Sequence, residues 1–459
     1  MIAPAGKTSA SPEWIVARSF ALAILAGGFL LSWPVCNSRH EWTSLLDATF
    51  TACSAICVTG LTVLDTGTHY SPLGQWIILG LIQVGGLGIM TLGTLLLVMM
   101  GRRLGMQNEF VLINSLGYDR IKGLPSLLKR AATFTILFEV AGAIMLAHRF
   151  ASAYGLPLPK AIYHGIFHAV SAFCNAGFGL YPDSLIPFQR DPVILLTIAL
   201  LIVAGGLGFL VLYDLSSIRF WRRNRLARGR LTLHTKVVLK TSLILILLGW
   251  ALIALFEWWG ALAGLGLRDK LSVALFHSAV PRTAGFNAVD LAKVHPATLF
   301  LTMGLMFIGG SPGSTAGGIK TTTVAILMRT IFSLVRGKQD IESHGRAIAP
   351  RLLREAFSIF ILSLSLVFTA FIILLITECP PLLSLTASRA DELLFEVISA
   401  FGTVGLSTGI TPTLSPGGKV VIMLLMFVGR VGPLTLALTV GRKEVRQAIR
   451  LPEEELIVG

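Results

Sequence analysis

The sequence predicts an all-α integral membrane protein of four tandem helix–pore-loop–helix repeats around a pseudo-fourfold central pore. Three observations carry this expectation. Of 459 residues, 54% are hydrophobic and only 14% charged, with a mean hydropathy of +0.76. That balance suits a bilayer and not a water-soluble domain of this length. Apolar runs long enough to cross about 30 Å of hydrocarbon lie near residues 14–35, 73–100, 127–147, 191–213, 237–259, 296–328, 356–377 and 416–440. Finally, a short amphipathic segment reaches a glycine four times, at Gly60, Gly177, Gly285 and Gly405, and a long apolar run follows each. A period near 115 residues is one folded unit repeated.

The eight runs fall into four pairs with one re-entrant segment inside each pair, which divides the chain into units 1–118, 119–232, 233–350 and 351–459. The first run, Ile15 to Val35, exceeds a leader's apolar core and lacks a small-residue cleavage pattern, so it is expected to persist as a helix. Between the paired runs, half-helices such as Trp42 to Ile56 and Arg389 to Phe401 end just before the glycines. Phe50, Phe167, Phe276 and Phe395 stand nine or ten residues before them. The second runs also align, as Gly85-Gly86, Gly205-Gly206, Gly309-Gly310 and Gly429-Arg430. In the third unit small polar residues then interrupt the helix, so residues 309–323 are expected to form a loop at membrane depth.

Charge sets the expected orientation, since Lys and Arg are retained on the cytoplasmic side. The N-terminus and the segments after each second run hold 26 of the 38 basic residues. Both termini are therefore expected in the cytoplasm. The Arg219 to Arg230 cluster lacks interleaved aromatics, which argues against nucleic acid. The five cysteines have no paired spacing and are expected as free thiols. His164 and His168, four apart, share a helical face that fits a metal, but no third ligand lies near in sequence; an ordinary helix face is the simpler reading. Gly313 and Gly318 before Lys320-Thr321 imitate a nucleotide-binding loop, with Ile319 intervening and membrane helix on both flanks. Glu139, inside an apolar run, is expected to be paired between helices. No acid pair, nucleophile or metal set points to an enzyme.

A dehydrated cation needs oxygens that replace its water shell, and backbone carbonyls supply them only where the peptide runs extended and unobstructed. Glycine permits that path and a close approach to an axis. The half-helices aim their partly negative ends at the same place. The candidate ion-site residues are therefore Val58, Thr59 and Gly60; Asn175, Ala176 and Gly177; Thr283, Ala284 and Gly285; and Thr403, Val404 and Gly405. The candidate gate comprises Gly309, Gly310, Ser311, Pro312, Gly313, Ser314, Thr315, Ala316, Gly317 and Gly318, with Lys320 and Arg430. A fixed positive charge about 6 Å from a cation, at an effective dielectric of roughly 20, repels it by about 3 kcal/mol, near a hundredfold in occupancy. The loop's uncapped carbonyls are natural partners for Arg430; the alternative is that it snorkels to the membrane surface.

These four glycine stretches, the 309–323 segment and Arg430 resemble the superfamily of Trk, Ktr and HKT potassium transporters over residues 14 to 445. With about 13 residues before its first crossing, the chain is most similar to the Ktr type. The resemblance implies K+ as the transported ion, Na+ as a candidate activator and no nucleotide on this chain. It further implies a homodimer in the cell's inner (plasma) membrane, each protomer with its own pore, on a cytoplasmic ring of nucleotide-binding RCK-domain regulatory subunits. Glycine in all four positions, where sodium-selective relatives carry serine, favours K+. Asn175 and Arg282 depart from the Val and Thr at comparable positions. The competing expectation is an alternating-access Na+/K+ or H+/K+ symporter, whose repeats would be inverted or broken in pairs.

Overall fold

The computed structural model describes residues 12–88, 124–217, 231–337, 341–343, 345–378 and 387–433. The later parts of the expected runs 73–100 and 416–440, most of the basic segments, the 118/119 boundary and Cys379 lie outside the described residues. Along the chain come α1 (Pro12–Leu31), α2 (Leu45–Ile56) and α3 (Pro72–Leu87), then α4 (Leu124–Tyr154), α5 (Leu158–Phe173), α6 (Pro192–Leu207) and α7 (Phe209–Ser217). These are followed by α8 (Leu233–Glu257), α9 (Leu267–Ala279), α10 (Pro296–Phe307) and α11 (Thr321–Val335). A two-stranded antiparallel hairpin, β1 (Glu342–Ser343) and β2 (Arg346–Ala347), leads to α12 (Pro350–Glu378), α13 (Ala387–Gly402) and α14 (Pro416–Val431). The helices repeat as an outer helix, a short pore helix and an inner helix.

Among the described residues, α1, α4, α8 and α12 carry apolar stretches long enough to span a membrane. They present large apolar side chains outward, among them Leu25, Ile144, Leu255 and Phe368, as helices facing lipid do. The inner helices differ from the expected unbroken spans. α3, α6 and α14 each stop after 16 residues, and α10 stops after 12. The first three end on Gly88, Gly208 and Gly432, with φ of 82°, 93° and 100°. That left-handed conformation cannot continue a helix. At Gly208 the chain turns by 95° between α6 and α7.

Each inner helix starts by one device. Ser71, Asp191, His295 and Ser415 each precede a proline, and each side chain accepts a backbone N–H of the first turn. Proline supplies the helical φ and lacks the N–H that would go unbonded there. The helix is thus fixed in phase from its first residue, which places its paired glycines opposite the pore helix. A Cβ added to Gly85, Gly205 or Gly429 would fall 2.0, 1.9 and 2.0 Å from the carbonyl oxygens of Ile56, Phe173 and Phe401, four residues before their ring glycines. Close approach of two backbones at these three crossings requires glycine.

The repeats are wedged together by the aromatics of the pore helices. Phe50, Phe167, Phe276 and Phe395 are all buried. Phe50 joins a core with side chains of α12 and α14, Phe167 one with side chains of α2 and α3, and Phe276 and Phe395 one formed around α5, α6 and α9. In a bilayer these rings contribute dispersion packing rather than escape from water. An ion pair joins the last repeat to the first, with Lys419 Nζ 2.7 Å from Asp47 Oδ1 and both side chains largely buried.

Replacing Gly429 with Ala is expected to cost about 1–3 kcal/mol through overpacking at the α14 crossing. A thermal melt in detergent would show a lower midpoint than wild type, whereas Gly80→Ala, where a Cβ meets open space, should leave it unchanged.

Candidate functional site

The four glycine turns share one backbone conformation. Val58, Asn175, Thr283 and Thr403 have φ of 55°, 59°, 75° and 50°, and Gly60, Gly177, Gly285 and Gly405, two residues on, have φ of 95°, 73°, 68° and 88°. Left-handed residues flanking Thr59, Ala176, Ala284 and Val404 reverse the usual alternation of carbonyl direction along an extended strand. Non-glycine residues enter this region rarely, and β-branched ones almost never. Three of the four non-glycine positions are nevertheless β-branched.

The turns also meet. A Cβ on Gly60 would lie 2.5 Å from Ala176 O, one on Gly177 2.8 Å from Ala284 O, one on Gly285 2.7 Å from Val404 O, and one on Gly405 2.0 Å from Thr59 O. Each repeat touches the next and the fourth touches the first, so the turns encircle a common axis. No side chain fits at the glycines without displacing a neighbouring carbonyl.

Hydrogen bonds to the pore helices hold the turns in shape. Thr59 N donates to Ser54 O at 2.8 Å and Gly60 N to Ser54 Oγ at 3.0 Å; Val404 N and Gly405 N repeat this on Ser399 at 2.8 and 3.1 Å. Ala176 N donates to Ser171 O at 2.7 Å. In the third repeat the pore helix lies one residue nearer its glycine, so Val280 stands at the serine position. There Ala284 N donates to Val280 O at 3.0 Å, while Ser278 Oγ donates to Ile246 O on α8. With valine there, that position has no hydroxyl to brace Gly285 N, and Ser278, two residues earlier, bonds α8 instead.

A second layer of polar side chains, overlooked in the sequence reading, ties the pore helices to the segments leaving the ring. Thr51, His168, His277 and Glu396 occupy equivalent pore-helix positions and are buried. Thr51 Oγ1 accepts from Tyr70 OH at 3.0 Å, His168 Nε2 from Leu180 N at 3.4 Å and His277 Nε2 from Ala288 N at 3.1 Å. Glu396 Oε1 accepts from Thr411 Oγ1. These contacts account for His164 and His168 as members of an ordinary helix face. Both nitrogens of His168 are engaged, Nδ1 with His164 O at 2.8 Å, and His164 Nδ1 meets Tyr181 OH at 2.9 Å. The polar positions eight or nine residues before each glycine were legible as a fourfold pattern.

Residues 308–320 form a loop between α10 and α11 on the inner-helix side of the ring. Its ends are clasped by Gly309 N donating to Ile319 O at 2.9 Å and Thr321 N donating to Gly310 O at 3.0 Å. Its body rests on the α6–α7 bend, with Ser311 N donating to Gly206 O at 3.0 Å and Phe209 N to Gly313 O at 2.9 Å. Gly313 and Gly318 adopt φ of 66° and 65°. The loop touches two of the turns. Thr315 Oγ1 donates to Phe173 O at 3.2 Å and to Asn175 Oδ1 at 3.3 Å, and a Cβ on Gly317 would fall 2.1 Å from Thr403 Oγ1.

The two basic residues both bind carbonyls. Arg430 occupies the place of Gly86, Gly206 and Gly310 in the other inner helices. Its guanidinium donates to Thr315 O in the loop, to Gly85 O, and to Gly86 O at 3.4 Å. It thereby joins the fourth inner helix, the first inner helix and the loop. Lys320 Nζ donates to Ala316 O at 2.8 Å within the loop. Asn175 Nδ2 reaches Arg282 O and Thr283 Oγ1, each at 3.3 Å, so this departure from the usual residue links two turns and, through Thr315, the loop. The Arg282 guanidinium bonds Ser242 on α8, away from the neighbouring turns. Glu139 accepts from Gln83 Nε2 at 3.4 Å, and Cys174 Sγ lies 3.8 Å from its other oxygen, so it pairs between repeats one and two. Cys36, Cys53, Cys57 and Cys174 are buried free thiols.

This geometry agrees with what the chain is similar to. Residues 20–448 match the model of the TrkH family, described as a cation transport protein. The chain is 37% identical over 451 residues to the Ktr system potassium uptake protein B of Bacillus subtilis, covering 98% of this chain and 97% of that one. It is 38% identical over 452 residues to the potassium/sodium uptake protein NtpJ of Enterococcus hirae, with the same coverages of 98% and 97%. In fold it resembles the potassium transporter TrkH of Vibrio parahaemolyticus, with a TM-score of 0.73 at 18% identity over 96% of this chain and 87% of that one. A helical membrane architecture of repeats around a pore, joined to a family match over nearly the whole chain, makes this protein a multi-pass membrane cation transporter and not an enzyme: it belongs to the TrkH family.

Proposed function

We propose that the chain is a potassium-uptake subunit that passes K+ through the ring of glycine turns, gated by the loop beneath it. The observation that carries this reading is the closed circuit of carbonyl-to-glycine approaches from Gly60 through Gly177, Gly285 and Gly405 back to Thr59. Dehydrating K+ demands several oxygens at once, and four backbones in matched left-handed conformation offer them from all sides. The four pore helices end at the ring, so their C-terminal dipole ends add a favourable field for a cation. Uptake then follows the electrochemical gradient, and the symporter alternative loses support because all four repeats carry the same re-entrant turn in the same sense.

In this reading the filter is formed by Val58, Thr59, Gly60 and their counterparts, and the units divide at 118/119, 232/233 and 350/351. The gate is the 309–318 loop, held beneath the filter by Arg430 and stiffened by Lys320. The two cationic groups add a charge barrier on the same path, and withdrawal of the loop would break the Arg430–Thr315 contact. Consistent with the basic-residue bias, both termini face the cytoplasm of an inner (plasma) membrane. There a homodimer would sit on an RCK-domain ring whose nucleotide state moves the loop. NtpJ of Enterococcus hirae is named for both potassium and sodium, which keeps Na+ in view as an activator.

Purified protein in liposomes should take up K+ in preference to Na+ under an imposed inside-negative voltage; equal rates for the two ions would overturn the filter assignment. Gly285→Ser is expected to reduce the K+/Na+ uptake ratio at least about tenfold, near 1.4 kcal/mol. Gly405→Ser should be more damaging and lower total flux as well, because its added Cβ meets Thr59 O at 2.0 Å against 2.7 Å for the nearest contact at Gly285. For the gate, Arg430→Ala and deletion within 309–318 should each raise basal flux several-fold without any cytoplasmic partner. Unaltered flux in both variants would remove the loop from the gating role.

A further inference from the structure

Between α8 and α11 lies a groove of about 680 Å³ that the transport reading does not use. Its two ends differ in chemistry. Lys240, Arg329 and Arg336 line the end nearer the start of α8 and the finish of α11. Ile244, Leu248 and Met328 line the remainder, which closes on Ile308 at the head of the re-entrant loop. From Lys240 to Leu248 the helix rises about 12 Å, so a cationic pocket passes into an apolar channel along α8. Ile244, Leu248, Met328 and Phe332 are 51%, 51%, 47% and 57% exposed. One of the five N–H donors of Arg329 is engaged with Glu342 O at 3.2 Å, leaving others for a ligand. With Glu342 also in the lining, the ionisable side chains of the groove carry a net formal charge of +2, suited to a ligand with a single anionic group.

We infer that this groove is a binding site for an anionic glycerophospholipid, its phosphate held by Lys240, Arg329 and Arg336 and an acyl chain laid along Ile244, Leu248 and Met328. Basic pockets between transmembrane helices are suited to such headgroups, and guanidinium pairs with phosphate oxygens in a two-pronged fashion. Basic side chains at one end with exposed apolar side chains at the other match the headgroup and acyl chain of a single lipid molecule. The site also has leverage. Ile308 bridges Ile319 across the base of the loop, and α11 begins one residue after Lys320. An acyl chain lodged between α8 and α11 therefore fixes the spacing of the helix on which the loop is carried.

The test is native mass spectrometry of the full chain released from detergent with phosphatidylglycerol or phosphatidylcholine added. The wild type should retain phosphatidylglycerol at least tenfold better than phosphatidylcholine. The triple variant Lys240→Gln, Arg329→Gln, Arg336→Gln should lose that preference, while Lys160→Gln with Arg268→Gln, exposed elsewhere, should keep it. Ile244→Trp, which fills the apolar channel without altering charge, should also weaken retention. Retained preference in the triple variant overturns the proposal, as does protection of the groove by a second copy of the chain in place of lipid. Binding is read without ion flux, so failure here leaves the pore reading standing, and failure of the pore reading leaves this one testable.

Discussion

A peptide that leaves the helix at the centre of a bilayer strands its own polar groups, and this structure resolves that cost by closing four such peptides on one another. The ring at Gly60, Gly177, Gly285 and Gly405 is the place where every repeat must agree in depth, phase and handedness. Much of the remaining architecture serves that agreement. Polar–proline starts fix the phase of the inner helices. Glycines at three crossings bring inner and pore helices within backbone contact. Buried phenylalanines set the spacing between repeats, and Thr51, His168, His277 and Glu396 pin the outgoing segments. A change at any of these layers reaches the axis through packed atoms that have little room to yield.

The proposed gate lies where the fourfold pattern lapses. Three inner helices carry a glycine at the position that the fourth fills with Arg430, and among the described residues only the third opens into a polar loop. The guanidinium and the loop carbonyl it binds are therefore complementary departures, made in adjacent repeats and meeting under the ring. Asn175 is a third departure. Its amide contacts a neighbouring turn while its oxygen accepts from Thr315, which gives the loop a direct hold on the backbone above it. Loop position and ring geometry are in this way parts of one hydrogen-bonded body.

Much of this was open to reading from residues alone. Apolar runs gave the outer helices, and the glycine period located the four turns, because both depend on local composition that recurs. The inner helices misled, since Gly88, Gly208 and Gly432 sit in runs whose hydropathy continues across them. Only the left-handed φ shows that the helix has ended, although the doubled Gly-Gly-Leu-Gly of the first two repeats was a hint. The buttressing side chains were missed because threonine, histidine and glutamate share a place rather than a chemistry, and no residue-type search connects them. His164 and His168 suggested a metal through spacing that the fold uses instead to reach Tyr181 and Leu180.

The ion pair between Lys419 and Asp47 spans 372 positions of the chain. Its two members arrive at opposite ends of synthesis, so the ribosome has made nearly the whole protein before the first and last quarters can be sealed. Contacts of such separation form late and slowly. Until then the ring of turns lacks its fourth member, since Gly405 closes on Thr59 of the first repeat. Sealing of the ring is thereby the last step that synthesis makes possible.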